Sequence, residues 1–289
     1  MAYLYLIGAV CSSAMLSIMS SLFGRQNAKH KNVSYFYSAI VACIAFASWG
    51  IISVSDAEFS PRVILYSLIY GLFYTAAMIG MFKAYQVGSV SLTAFVKQLS
   101  LIGVAIWGFL FWNTPLTVNV AIGLVFVGLA LCFCFKPNKD GTEKIVSAKW
   151  VLFAFMLLVG NAGCSIIQKY QQSAFDGNCG NAFMFFAAGI AFACSVLFYF
   201  CNERCRINEI SKRTLLYPIT GGISSALLNF FIMRLIASPL SESIVFPGIA
   251  AGGLILTTVF STVCYRERLH RYQWLGLGIG VIALIFLNI

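Results

Sequence analysis

A few polar residues stand inside long apolar runs, and their spacing limits the chemistry open to them. Lys97 lies about seven residues, roughly 10 Å of helical rise, into an apolar run and is followed by Gln98. A charge at that depth in a bilayer costs at least ~2.5 kcal/mol and normally faces an internal pathway. Its stem of about 6 Å barely reaches an interface by snorkelling. An ammonium here attracts a carboxylate or phosphate on a solute, or hands on a proton; a structural ion pair is the other use.

Ser13, Ser17 and Ser20 follow one helical face at i, i+4 and i+7, and Asn161, Ser165 and Gln168 repeat that spacing later in the chain. Small polar residues in apolar helices either hold helices together by cross-helix hydrogen bonds or line a wet cavity. The bulkier carboxamides, costly to leave unpaired, favour the cavity wall. Tyr66, Tyr70 and Tyr74 fall every four residues along another face. Tyr74 sits about 16 Å along its run, where a phenol needs a partner or a water-filled space and can stack on a solute. Asn229, with Ser225 one turn earlier, is a further candidate lining residue.

Glu242 is the acidic residue placed well within an apolar run, near its start. It serves either as an N-terminal cap or as a proton- or cation-coupling group. Depth arithmetic puts it on the order of 10 Å or more from Lys97, too far for a direct salt bridge. Pro247 removes a backbone hydrogen bond and offers a bend, a candidate hinge. The expected solute site is therefore Lys97, Gln98, Tyr70, Tyr74, Asn161 and Gln168, with Asn229, Ser13 and Ser17 beside them.

Catalysis has no comparable footing. The two histidines, His30 and His270, lie in gaps between apolar runs, and there is no Gly-rich phosphate loop or pair of intramembrane aspartates. The ten Cys lack metal-ligand spacing and read as small apolar fillers. No metal, bound cofactor or enzymatic activity is expected. A channel would normally draw its pore ring from symmetric subunits, and an inert scaffold has no need of matched polar faces.

The elements that must position these residues follow from composition. Hydrophobic residues make up 60% of the 289 and charged ones 10%, with 26 Phe. So few charges cannot keep a globular surface of this size soluble, which leaves a polytopic membrane protein. The net charge of +10 resides mostly in short gaps, an orientation pattern and not a nucleic-acid footprint. Runs of about 20 residues give ten expected spans: 2–23, 33–55, 63–86, 90–112, 115–135, 150–171, 181–201, 214–236, 239–263 and 272–289. The first lacks a basic start and a clear cleavage site and reads as a retained helix. Gly248/Gly252 and Gly276/Gly280 read as close-packing pairs, and Lys83 and Arg234 as headgroup anchors.

The hydrophilic stretch Lys136–Lys144 divides the spans five and five. The polar triplets match at a shift of 148, Tyr70/Tyr74 match Thr220/Ser224 at 150, and Ser91/Lys97 match Ser241/Pro247 at 150. Leu116, Gly123, Leu124, Ala130 and Leu131 match Leu269, Gly276, Leu277, Ala283 and Leu284 at 153. An upward drift of this kind suits small loop insertions in a duplicated chain. Five is odd, so the second copy enters the membrane from the opposite side. The expectation is an all-α protein of ten transmembrane helices in two inverted five-helix repeats, 1–136 and 150–289, joined by a linker at 137–149.

This plan resembles the drug/metabolite transporter superfamily, EamA-like branch. The late half carries the likeness best, with Pro247 in its ninth span, Glu267-x-Leu269 after it and a Gly-rich last span. The early half departs from the pattern, with Lys97 at the proline position and Thr114 at the acidic one. The resemblance implies a central cavity lined by spans 1, 3, 4, 6, 8 and 9, with spans 5 and 10 peripheral. It also implies a secondary carrier with export favoured. Proton-coupled uptake through Glu242 is the alternative. Residues and resemblance together suggest a small anionic or zwitterionic, amino-acid-like metabolite moved by alternating access, in a monomer or homodimer within the cell membrane.

Orientation divides these two sources. Odd-numbered gaps carry fourteen Lys and Arg, and even-numbered gaps carry Arg62, with Lys169 and Arg234 at adjoining helix ends. The basic-residue rule then puts odd gaps in the cytoplasm and both termini outside. Members of the resembling family usually keep them cytoplasmic.

Overall fold

A computed structural model describes residues 2–27, 33–53, 60–112, 117–134, 147–202, 212–236, 242–266, 269 and 271–286. Among them lie eleven α-helices and a short 3-10 turn, and no strand. In chain order they are α1 (Ala2–Gln26), α2 (Val33–Ser53), α3 (Pro61–Val87), α4 (Val90–Gln98), α5 (Ser100–Phe111) and α6 (Val118–Cys134). After the hydrophilic stretch come α7 (Ala148–Ala174), α8 (Gly180–Cys201), α9 (Leu216–Ile236), α10 (Glu242–Cys264) and α11 (Arg271–Phe286). Six of them, α1, α2, α3, α7, α8 and α9, are long and apolar enough to cross a membrane. Rows of exposed Leu, Val and Phe, such as Leu65, Leu68 and Leu72 on α3 and Leu152, Phe155 and Val159 on α7, face outward. Such contiguous apolar surface suits lipid and not water.

Local signals start several helices. Pro61 occupies the first turn of α3, where its missing N–H costs nothing. The Ser89 and Ser147 hydroxyls accept from the backbone N–H of Leu92 (3.3 Å) and Trp150 (3.1 Å), capping α4 and α7. The α7–α8 turn uses left-handed backbone at Asp176, Gly177 and Cys179.

Nine of the ten expected spans correspond to one helix each. The fourth, 90–112, is two: α4 ends at Gln98 and α5 starts at Ser100. The interruption, at Leu99, comes two residues after Lys97, and the Ser100 hydroxyl donates to the Lys97 carbonyl at 2.8 Å. That bond satisfies a carbonyl at the end of α4, as backbone inside a membrane requires.

Helices pair across the hydrophilic stretch. α1 packs on α9 and α3 on α7; α2 reaches α9 as α8 reaches α3; α1 reaches α10 as α7 reaches α4 and α5. α2 pairs with α8, α4 with α10 and α6 with α11. These pairings between halves map onto themselves when the first five segments exchange with the last five. The α3–α7 seam is backbone against backbone: a Cβ on Gly160 would lie 2.7 Å from the Ala77 nitrogen, and one on Gly80 would lie 2.8 Å from the Leu157 nitrogen. The pair Gly248 and Gly252 seats Leu6 and Val10 of α1. α6 and α11 lie to one side, joined to α4 and α10 through a core containing Phe95, Val127, Leu254 and Leu277.

Candidate solute-binding cavity

Between α1, α3, α4, α5, α7, α9 and α10 lies a cavity of about 170 Å³. Sites for drug-sized ligands run to roughly 300–1,000 Å³, so this one suits a compact solute. Eight of the nine residues expected at the solute site line it. Lys97 and Gln98 come from the end of α4, Tyr70 and Tyr74 from α3, Asn161 and Gln168 from α7, Asn229 from α9 and Ser13 from α1. The ninth, Ser17, stands behind the wall, where its hydroxyl accepts from Lys97 Nζ at 3.3 Å. Ser17 in turn donates to the Ser13 carbonyl at 3.1 Å. Gln98 and Ser13 meet over α10: a Cβ on Gly253 would be 3.2 Å from Ser13 Oγ and 3.5 Å from Gln98 Nε2.

The ammonium at Lys97 is oriented by a neutral hydroxyl. Asp176, the acidic residue whose side chain is described, is exposed in the α7–α8 turn. A cation in an internal chamber whose side-chain partner is a neutral hydroxyl retains the capacity to bind an incoming anion. Glu242 opens α10 and Pro247 lies in its first turns, but their side chains fall outside the described residues.

Also lining the cavity, the Tyr70 and Tyr74 rings stack at 6.2 Å between centroids and 16° between planes. The Tyr74 hydroxyl pairs with Ser225 Oγ at 2.7 Å, joining α3 to α9. Asn229 Nδ2 donates to the Ser225 carbonyl at 2.9 Å. Tyr66 packs edge-on against Phe175, 6.0 Å between centroids, away from the cavity lining. The floor is apolar, formed by Met78, Met81 and Leu157.

Cys164 and Ser100 line the cavity without having been expected there. Cys164 follows Asn161 by three residues, so the helical period that selects Asn161 and Gln168 also selects it; its apolar type concealed it. Ser100 carried no such signal, because a continuous span gives no hint of the break at Leu99. Of the expected anchors, Lys83 is half-buried, donating to the Tyr35 hydroxyl at 3.2 Å, and Arg234 lies exposed over Phe230.

A bundle of apolar helices around a polar chamber is an architecture that membrane transporters use. The EamA-like transporter family model matches residues 1–135, a likeness to the EamA-like drug/metabolite transporter superfamily over the first half of the chain. The matched part is the half whose span-4 motif departs from the pattern. A protein of Haemophilus influenzae without a described activity is 27% identical over 81% of this chain and 77% of its own. One of Listeria monocytogenes named for sugar uptake is 24% identical over 97% and 94%. The quaternary ammonium compound-resistance protein QacG of a Staphylococcus species is 29% identical over 26% of this chain and 71% of its own. A crystal structure of a protein 13% identical covers 99% of this chain and 95% of its own at a TM-score of 0.65, a likeness of fold alone. Family and relatives point to a multi-pass membrane transporter of the drug/metabolite kind and not to an enzyme.

Proposed function

We propose that the chain is a secondary carrier of the cell membrane that moves a compact anionic or zwitterionic metabolite by alternating access. The observation that carries this reading is Lys97: it lines the central cavity, its ammonium donates to a serine hydroxyl, and the carboxamides of Gln98, Asn161 and Gln168 line the same cavity. The carboxylate or phosphate of a solute meets the ammonium, while carboxamides and tyrosines complete its polar contacts. We take 1–136 and 150–289 to be inverted halves, a plan in which each half adopts the other's conformation to expose the site alternately. The exchange-symmetric pairing between halves supports this.

So do the closures at the two ends of the bundle. At the odd-gap end, Ser20 pairs with Tyr37 at 2.8 Å, Ser21 with Tyr265 at 3.1 Å, and Arg25 lies 4.1 Å from the centre of the Tyr265 ring. At the even-gap end Lys169 lies 4.5 Å from the centre of the Trp112 ring, and Trp107 Nε1 donates to the Tyr170 hydroxyl at 3.2 Å. The contacts at Tyr265 and those at Trp112 and Trp107 each join the end of a first-in-half helix to the other half's fourth segment, or to its continuation, whereas Ser20–Tyr37 ties α1 to α2 within the first half. Ser20 is sealed against Tyr37, whereas its counterpart Gln168 opens on the cavity. That asymmetry is what one of two exchangeable states would leave.

The basic-residue count orients both termini outward, and a monomer or homodimer fits the peripheral α6–α11 pair. Export is the favoured direction. Uptake is a second reading, favoured by the relative named for sugar uptake, whose match runs nearly the full length of both chains; Glu242 is then the coupling residue. A thermal-shift screen of the purified chain against amino acids, carboxylates, phosphate esters and neutral sugars tests the site. Counterflow in proteoliposomes then tests the carrier. Stabilisation by anionic or zwitterionic solutes, followed by saturable counterflow, supports the proposal; stabilisation by neutral sugars alone overturns the role of Lys97.

A further inference from the structure

The large cavity has a neighbour. A second space of about 20 Å³, enough for roughly one water, lies between α2, α3, α8 and α9. Beyond the residues the two share, its lining is apolar: Ala45, Trp49, Met184 and Ala187. Tyr70, Tyr74, Ser225 and Asn229 line both spaces and so form the wall between them.

The two tyrosines of that wall are held differently. Tyr70 is 6% exposed and wedged edge-on against Phe183, 5.2 Å between centroids. Its backbone is pinned on either side: a Cβ on the adjoining Gly71 would lie 2.9 Å from the Ala187 carbonyl oxygen, and Cys164 Sγ contacts the Tyr70 carbonyl at 3.8 Å. Tyr70 is a fixed post. Tyr74 is only partly buried, and its hydroxyl is held by the single side-chain contact to Ser225. A hydroxyl–hydroxyl bond is readily replaced by a solute's polar group or by water. Were the Tyr74 ring to swing away from Ser225, the polar chamber and the apolar annex would become one space, with Lys97 in one part and Trp49 in the other.

We propose that Tyr74, latched to Ser225, is a specificity-determining partition: closed, it limits the chamber to compact polar solutes, and displaced, it admits an apolar side chain into the annex beside Trp49. This rests on the chamber being the solute site, and it deepens that reading by defining the solute class. Accepted solutes carry a charged head for Lys97, and the length of their apolar tail is set at Tyr74 and not at Lys97.

The test uses the full chain in nanodiscs, with Met184→Cys placing a thiol in the annex and native Cys164 reporting on the main chamber. The anionic thiol reagent sulfonatoethyl methanethiosulfonate is followed at each site by peptide mass spectrometry. With Tyr74 present, Cys164 labels and the annex thiol labels slowly. Adding Tyr74→Ala should raise annex labelling at least tenfold and leave Cys164 unchanged. Ser225→Ala, which removes the latch and keeps the ring, should raise it by a smaller factor and remains informative if Tyr74→Ala does not fold. Equal annex labelling with and without the partition overturns the proposal. A parallel thermal-shift series of straight-chain α-amino acids, from alanine to norleucine, reads specificity. Tyr74→Ala should extend the longest stabilising member, and an unchanged cut-off also overturns the proposal. If no member stabilises any form, the amino-acid-like class fails, and the labelling result alone decides the partition.

Discussion

Replacing Lys97 by Met preserves the length of the side chain and removes its charge and donors. Lys97 lines a cavity of about 170 Å³, and its ammonium donates to Ser17 Oγ at 3.3 Å. A hydrogen bond from a charged group contributes about 1.5–3 kcal/mol net, and each 1.4 kcal/mol is tenfold in affinity. Lys97→Met should therefore weaken binding of an anionic or zwitterionic solute by roughly 10- to 150-fold. Stability should move the other way or not at all. Breaking a buried ion pair costs about 3–5 kcal/mol because it strands the partner's charge, whereas removing a cation held by a hydroxyl strands no charge and leaves Ser17 its bond to the Ser13 carbonyl. Half-maximal counterflow concentration and melting temperature, measured on the same preparation, separate the two. Undiminished affinity would refute the solute role, and a large loss of stability would show that Lys97 serves a structural pair.

Gly160→Val should be disruptive, since its Cβ would lie 2.7 Å from the Ala77 nitrogen and 2.8 Å from the Phe73 carbonyl oxygen, neither of which can yield without parting α3 from α7. Overpacking of this kind costs about 1–3 kcal/mol, to be read as a lower melting temperature together with reduced counterflow. Tyr37→Phe removes the 2.8 Å bond to Ser20 and should cost roughly 0.5–1.5 kcal/mol. If that bond seals the odd-gap end, Cys labelling at a Ser17→Cys site from that side should also rise. Trp150→Phe deletes the 2.9 Å bond from Nε1 to Thr93 Oγ1 that ties the start of α7 to α4. It should lower thermal stability by about 1 kcal/mol while leaving solute affinity within twofold.

The cavity lining was legible because membrane burial makes polar residues expensive, so the few that persist tend to face an internal space. Helical period alone gathered Ser13, Asn161 and Gln168 from two distant helices onto one chamber wall. Tyr74 was legible as a phenol too deep for an interfacial belt. What stayed hidden obeys the same physics. Cys164 is chemically indistinguishable, in sequence, from a filler. Ser225, noted only as a neighbour of Asn229, gains its meaning from a 2.7 Å contact with a residue 151 positions away. The break after Lys97 had no glycine or proline to announce it. The likeness judged from short motifs weighed the second half more, while the family match fell on the first, because a few motif residues sample a repeat poorly.

One labelling experiment bears most directly on two inverted halves sharing a single chamber. A thiol introduced as Asn161→Cys in sealed, uniformly oriented vesicles is exposed to an impermeant thiol reagent from one face or the other, with and without a solute that stabilises the protein. Alternating access requires modification from both faces, slowed from each by the solute, with counterflow detectable in the same vesicles. Modification from one face alone, whatever the solute, would contradict it.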